Sequence, residues 1–180
     1  MPRTVDGDEI AIRAVLGQQV SVAGARTAAG RLAARYGKPL TAASGGLTHA
    51  FPDSGMLSEA DPADLGLPAA RGRALVGLAG ALAAGAIVLD AGADREEVQA
   101  ALMALPGIGA WTASYVAMRA LGDPDAFLPT DLGVRHALRS LGVLEHARPA
   151  AVDALAQRWR PWRAYAVQYL WSSLTIKETS

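Results

Sequence analysis

The sequence predicts an all-α protein. Apolar residues recur with helical spacing along most of the 180 residues, whereas no segment shows convincing strand alternation and no repeat of fixed period is found. Hydrophobic residues make up 51% of the chain, which is enough for one sizeable core or for two lobes that share a cleft. Capping residues and glycine or proline breaks divide the chain into helices.

The first half of the chain is predicted to hold three longer helices. Asp6 caps the first, with Glu9 completing a capping box, and this helix continues to about Leu16. Ser21 caps the second, which Gly37 ends. The other predicted elements of this half are a long loop over Lys38–Gly55, short helical turns at Met56–Ala60 and Pro62–Leu65, and a third helix over about Ala69–Gly85.

The second half begins with a helical hairpin, residues 94–121. Asp94 caps a helix that ends at Leu105, and a Pro-Gly-Ile-Gly turn leads at once into the next helix. A break follows in which Asp123 and Asp125 are interpreted as turn residues. The remaining predicted helices cover about Leu132–Leu141, Pro149–Trp159 and Trp162–Leu174.

Composition excludes several kinds of function. Seventeen Lys and Arg balance seventeen Asp and Glu, so any nucleic-acid contact must come from local donors rather than from bulk charge. Because cysteine is absent, disulfides, zinc-thiolate sites, iron–sulfur clusters and thiol nucleophiles are excluded. The longest uncharged apolar stretch, Ala74–Leu89, is short for a membrane span, and the N-terminus has no apolar signal region. We therefore expect a soluble, intracellular protein without a membrane partner.

The turn of the hairpin has the features of an anion site. Pro106 ends the first helix, and the glycines allow unusual backbone angles and close approach of another molecule. The first amides of the second helix carry the positive end of its dipole, so phosphate is the expected anion. The candidate donors are the amides around Gly107, Gly109 and Trp111, assisted by the Thr112 hydroxyl. A tight turn that binds nothing is the alternative interpretation.

The helix–Leu-Pro-Gly-Ile-Gly–helix segment resembles the helix-hairpin-helix of DNA-repair glycosylases. In that superfamily, known as HhH-GPD, a proline and a catalytic aspartate follow about twenty residues later, where this chain has Pro129 and Asp131. Residues 14–22, 111–115 and 158–165 resemble its alkylation-repair branch, that of the bacterial 3-methyladenine DNA glycosylase AlkA. The resemblance runs from about Asp6 to Leu174. It implies one glycosylase domain over residues 1–180, with two helical lobes and a cleft between them.

The resemblance implies base-excision DNA repair. The reaction would be hydrolysis of the N-glycosidic bond of an alkylated purine, of the 3-methyladenine or 7-methylguanine type, after the base is flipped out of the duplex. Asp131 is the implied catalytic carboxylate, although its spacing alone favours a simple helix cap. Branches that also cut the strand carry a lysine where this chain has Trp111, so we expect a monofunctional enzyme without a lyase step.

Aromatic residues are the expected walls of the base pocket. Trp111 and Tyr115 share one helix face, and by resemblance they line the pocket together with Trp171, whereas Met118 is interpreted as core. Electron-rich rings attract a positively charged alkylpurine by ~0.5–2 kcal/mol. Gln18 and Gln19 lie in the turn from which the branch inserts a wedge into DNA, and Gln19 occupies the matching position. Alternatively, both glutamines only cap the end of the first helix.

The expected partner is double-stranded DNA containing alkylated bases, bound by a monomer in the bacterial cytoplasm at the nucleoid. No cofactor is expected beyond a Na or K ion at the hairpin, which the family binds through backbone carbonyls; the positions here are Met103, Leu105 and Ile108. The family's β-rich N-terminal domain is missing. This chain is therefore either a minimal form or a piece of a longer protein, for example one fused to an alkyl-transfer regulatory domain.

Two alternatives remain for the function. One is a non-catalytic helix-hairpin-helix DNA-binding module of the kind found in polymerases and ligases. The other is a glycosylase for oxidised or mismatched bases, against which Trp111 and the absence of cysteine argue.

Overall fold

The computed structural model describes residues 2–177, and helices dominate them as predicted. The elements are α1 (Gly7–Leu16), α2 (Val22–Tyr36), β1 (Pro39–Ser44), β2 (Leu47–His49), α3 (Ser54–Ser58), α4 (Ala69–Ala83), α5 (Arg95–Ala104), α6 (Ala110–Val116), α7 (Leu132–Ser140), α8 (Pro149–Ala156) and α9 (Arg163–Lys177). Short 3-10 turns cover Pro62–Leu65 and Gln157–Trp159, and a π-helical turn covers Ala117–Leu121. Within residues 2–177, every helix falls short of the length and apolar character that crossing a membrane requires.

The predicted caps begin the helices where the sequence indicates. The Asp6 carboxylate accepts a hydrogen bond from the Glu9 amide at 3.0 Å, and the Ser21 hydroxyl accepts one from Gly24 at 3.1 Å. Asp94 accepts from two amides of the first turn of α5. These side chains satisfy donors that a helix N-terminus leaves without a partner, so the starts of α1, α2 and α5 are fixed locally.

The prediction of a long loop over Lys38–Gly55 is wrong in one respect, because this segment contains a β-hairpin. β1 and β2 pair antiparallel, with Ser44 opposite Leu47. Gly45 and Gly46 both have positive φ, 55° and 86°, which is the backbone that a two-residue hairpin turn requires. The Gly-Gly pair was the available signal for a turn between two short strands.

Other boundaries also differ from the prediction. α3 starts at Ser54 because the Asp53 carboxylate caps it through the Met56 amide at 2.9 Å. The helix after the hairpin changes from α to π geometry at Ala117, and the one from Pro149 tightens into a 3-10 turn at Gln157.

The core lies where α1 packs against α4 and α6. Ile12, Leu75, Leu78 and Met118 are among its fully buried side chains, which confirms Met118 as a core residue. In a second group of helices, α7 packs against α9. A groove runs between these two groups of helices and is lined by residues from both.

Candidate active site

The groove brings together the residues predicted to bind DNA, hold the base and catalyse. Its volume is about 1470 Å³. All nine residues predicted for these roles line it: Gln18, Gln19, Gly107, Gly109, Trp111, Thr112, Tyr115, Asp131 and Trp171. They come from the α1–α2 turn, the hairpin, α6, the start of α7, and α9, so the fold collects them from distant parts of the sequence.

Asp131 is held by three donors at the start of α7. As the helix cap, its Oδ1 accepts a hydrogen bond from the Val134 amide at 2.8 Å. The same oxygen accepts from the indole nitrogen of Trp171 at 2.9 Å, and Oδ2 accepts from the indole nitrogen of Trp111 at 3.1 Å. Asp131 is therefore both the predicted helix cap and a residue of the groove, and two tryptophans fix the orientation of its carboxylate.

The three predicted pocket aromatics form one cluster around this carboxylate. The rings of Trp111 and Tyr115 stack with centroids 5.3 Å apart and 12° between their planes. Trp171 lies tilted against Tyr115 at 6.3 Å. All three are half-buried. The groove therefore places aromatic faces next to a carboxylate, which suits a flat, cationic group better than a neutral polar one.

The hairpin turn has the backbone geometry that its glycines predict. Gly107 has φ 86°, and a Cβ there would lie 2.7 Å from the Cβ of Ala74 on α4. A Cβ on Gly109 would meet nothing within 4 Å, so this side of the turn is open. The Ala113 amide donates to the Gly109 carbonyl at 3.0 Å and starts the bonding of α6, which leaves the preceding amides without partners inside the helix.

A family model for the HhH-GPD superfamily base excision DNA repair protein matches residues 12–163. The match covers the α1–α2 turn, the hairpin and Asp131. This chain belongs to the HhH-GPD superfamily of base excision DNA repair proteins.

Relatives of this HhH-GPD chain agree with the resemblance to the AlkA branch. It is 51% identical over 174 residues to the "Probable bifunctional transcriptional activator/DNA repair enzyme AlkA" of Mycobacterium tuberculosis, covering 97% of this chain and 35% of that protein. It is 37% identical over 174 residues to "DNA-3-methyladenine glycosylase 2" of Escherichia coli, covering 95% and 59%. The structure of a 3-methyladenine DNA glycosylase from Archaeoglobus fulgidus superposes with a TM-score of 0.77 at 25% identity, over 94% of this chain and 58% of that one. The chain thus spans between about a third and three fifths of the length of these proteins.

Two residues of this HhH-GPD chain that were predicted to bind DNA, Gln18 and Thr112, contact each other. Thr112 was expected to help bind a phosphate, but its side chain is only 2% exposed and its hydroxyl accepts a hydrogen bond from Gln18 at 3.0 Å. The Gln18 amide nitrogen also donates to the Gly107 carbonyl at 3.1 Å. Gln18 therefore ties the α1–α2 turn to the hairpin through Gly107 and Thr112, and the roles of Gln18 and Thr112 in DNA binding stay predictions.

Gln19 differs from its neighbour. It is exposed, lines the groove, and has φ 55°, the only positive value for a non-glycine residue in the part of the chain that the structure describes. Such a backbone costs a glutamine about 1–2 kcal/mol, and strain of this kind collects at functional sites. The strained turn places Gln19 among the residues that line the groove.

Gly133 is a site residue that sequence reasoning missed. A Cβ on this residue would lie 3.1 Å from both Cδ1 and Nε1 of Trp171 and from Oδ1 of Asp131. The missing side chain therefore lets the Trp171 ring pass close to α7 and reach the carboxylate. The available signal was a glycine in the first turn of a helix, where it is otherwise unfavourable.

The prediction that Asp125 is only a turn residue was incomplete. Asp123 does make the turn, since its carboxylate accepts from the Asp125 amide at 2.9 Å. Asp125 itself pairs with Arg163 at 2.7 Å and with Arg160 at 2.9 Å. Burial alone would raise the pKa of Asp125, but the hydrogen bonds and charges of the two arginines outweigh burial and lower it. This clamp joins the segment before Asp131 to the start of α9, which carries Trp171.

The backbone around the hairpin also bears on the expected ion. The Leu105 carbonyl accepts a hydrogen bond from the Ile108 amide at 3.1 Å, and a carbonyl oxygen has a second lone pair. One of the three carbonyls expected to hold the ion is therefore already a hydrogen-bond acceptor within the turn. Among the described residues, no group of three or more His, Asp or Glu could hold a metal ion.

Proposed function

We propose that this chain is the catalytic unit of a DNA glycosylase that removes alkylated purines from double-stranded DNA. The observation that carries the proposal is the Asp131 carboxylate, fixed by the indole nitrogens of Trp111 and Trp171 inside a groove walled by the same rings. The AlkA relatives support the substrate class, because their names refer to DNA repair and to 3-methyladenine.

In the proposed reaction, the everted nucleotide places its base among the aromatic rings and its sugar beside Asp131. The bond between C1′ of the sugar and the ring nitrogen breaks, and the base leaves with the electron pair. Because an N3- or N7-alkylated purine nucleotide is cationic, the departing base becomes neutral and needs little help from an acid. Water adds to C1′ and loses a proton, which leaves an abasic site.

Asp131 is proposed to stabilise the positive charge that develops on the sugar. A carboxylate aimed at developing charge in a site shielded from water can be worth several kcal/mol. Its three donors hold it in place before the reaction, so no reorganisation is needed when the charge appears. Trp111 and Trp171 thus have two proposed tasks, since they bind the base and orient the carboxylate.

The enzyme is proposed to be monofunctional. A lyase step needs an amine that attacks C1′ and forms a Schiff base. Lys38 is the only lysine side chain that the structure describes; it pairs with Asp53 at 3.2 Å and is not among the residues that line the groove. Water is therefore the proposed nucleophile.

DNA contacts are proposed at two places on the groove. The amides at Gly107 and Gly109 would bind a phosphate, with a Na or K ion on the Met103, Leu105 and Ile108 carbonyls stabilising the turn. Gln19 would enter the space left by the flipped base and hydrogen-bond to the base opposite. The protein is proposed to act as a monomer.

One assay separates the proposal from its alternatives. The protein is incubated with a duplex containing 7-methylguanine and with a matched duplex containing 8-oxoguanine, and base release and strand breaks are measured. Release from the first duplex alone, with strand breaks only after alkali, is the expected result. Binding without release of either base would support the non-catalytic module, and release of 8-oxoguanine would support the oxidised-base glycosylase.

A further inference from the structure

Helix α7 carries an exposed stripe that the proposed reaction does not use. The core side of the helix is formed by Val134, Ala137 and Leu138, all buried. Leu132, His136 and Arg139 are exposed and lie at spacings of four and three residues, so they share the opposite side. We call these three residues the α7 stripe. Arg135 is not part of it, because its Nε donates to the Ala147 carbonyl at 2.7 Å.

Leu132 has no packing explanation within the fold. It is 76% exposed although it directly follows Asp131 and lines the groove. The Cα atoms of consecutive residues lie 3.8 Å apart. If Asp131 contacts the sugar of an everted nucleotide, Leu132 is within reach of the neighbouring sugars and bases. Contact with these sugars and bases would remove the apolar surface of Leu132 from water, which is favourable.

The other end of the α7 stripe carries a positive charge, on Arg139, of the sign that attracts a DNA phosphate. Arg139 is exposed and lies seven residues beyond Leu132, or about 10 Å along the helix at 1.5 Å per residue. That length corresponds to about three base-pair steps of a duplex at 3.4 Å each. An apolar tip at the groove and an arginine at this distance match unstacked bases at the lesion and a phosphate of the flanking duplex.

We propose that the α7 stripe is a DNA-binding surface, on which Leu132 packs against the unstacked nucleotides beside the lesion and Arg139 pairs with a flanking phosphate. This inference rests on the proposed function, because Asp131 must face the sugar. Arg139 also lies in the last turn of α7, where a cation favours the helix dipole. The test therefore separates DNA contacts from effects on the fold.

The experiment uses Leu132→Ala and Arg139→Gln, with Leu141→Ala and Arg158→Gln as matched controls. Leu141 is a 49% exposed leucine that directly follows α7, and Arg158 is exposed on the 3-10 turn after α8. Single-turnover excision of 7-methylguanine is measured in a fully paired duplex and in the same duplex with the lesion in an unpaired bubble. Binding to a duplex with an abasic-site analogue is measured from low to high salt.

For Leu132→Ala, excision from the paired duplex should fall about tenfold, and excision from the bubble should change less than twofold. For Arg139→Gln, the slope of log affinity against log salt should become shallower by about 0.9, the value of one phosphate contact. Both controls should behave as wild type. Wild-type excision by Leu132→Ala, equal losses in duplex and bubble, or an unchanged slope for Arg139→Gln would each overturn the inference. If the wild type releases no base, the proposed function fails, whereas the salt slopes still decide whether the stripe contacts DNA.

Discussion

At the scale of single residues, the site depends on two tryptophans that do more than line a pocket. Each indole nitrogen donates to Asp131, so replacing a ring changes the base contact and the carboxylate together. Phenylalanine keeps an aromatic face and removes the donor, which separates the two contributions.

For Trp171→Phe we expect the single-turnover excision rate to fall about 10- to 100-fold, because a hydrogen bond to a charged group contributes about 1.5–3 kcal/mol. The substrate concentration for half-maximal rate should change much less, since an aromatic face remains. Trp159→Phe is the matched control, because Trp159 packs against Phe127 and is not among the residues that line the groove. Equal losses in the two variants would contradict the role of the indole nitrogen.

Gly133→Ala tests the same contact from the other side. The added methyl group should push the Trp171 ring away from Asp131 and reduce the excision rate about tenfold while the protein stays folded. Gly77→Ala, in an open position of α4, should keep full activity and raise stability by up to about 1 kcal/mol. Rates and thermal unfolding of both variants provide the comparison, and a fully active Gly133→Ala would remove the positioning role of the glycine.

At Gln19, two substitutions separate the backbone from the side chain. Gly tolerates φ 55°, so Gln19→Gly should be more stable than Gln19→Ala by up to about 1 kcal/mol. If the side chain acts as the wedge, both variants should excise 7-methylguanine from duplex DNA equally slowly. Unfolding in urea and single-turnover excision give the two readouts, and wild-type excision by both variants would rule out the wedge.

At the scale of elements, the clamp between Asp125 and the two arginines holds the segment before α7 against the start of α9. The Ala164 amide adds a hydrogen bond to the Pro124 carbonyl at 2.9 Å. Since Asp131 caps α7 and α9 carries Trp171, this clamp holds together the two segments from which the site residues meet.

The clamp should make stability depend on pH in a defined direction. The pKa of Asp125 is lowered in the folded protein, so its contribution is complete above the unfolded value of about 4 and is lost as pH falls through the lower folded value. Wild type should therefore be more stable than Asp125→Asn near pH 7, and the difference should shrink below about pH 4. Asp153→Asn, at an exposed position of α8, is the control. A difference that stays constant from pH 7 to pH 2 would contradict the ion pair.

Much of the element order was predictable because it is encoded locally. Asp6, Ser21, Asp94 and Asp131 satisfy amides two or three residues away, so a sequence window of one turn contains the whole interaction. The fit of Gly133 to Trp171 could not be predicted, since it depends on the crossing of helices nearly 40 residues apart. The contact between buried Thr112 and Gln18 could not be predicted from the sequence for the same reason.

At the scale of the whole molecule, a chain without net charge brings the residues proposed to bind the base and to catalyse together at one groove. Amide donors release few counterions, so the proposed anchoring at the hairpin adds little to the salt dependence of binding. The groove between the two helix groups also explains why residues separated by more than 100 positions, such as Gln18 and Trp171, share one site.

The most direct test of the central claim is single-turnover release of 7-methylguanine by the wild type and by Asp131→Asn, with affinity for abasic-site DNA measured in parallel. Asparagine keeps an oxygen that can cap α7 but removes the negative charge. The account predicts that release is abolished while binding to abasic-site DNA is largely kept. Wild-type turnover by the asparagine variant would contradict it.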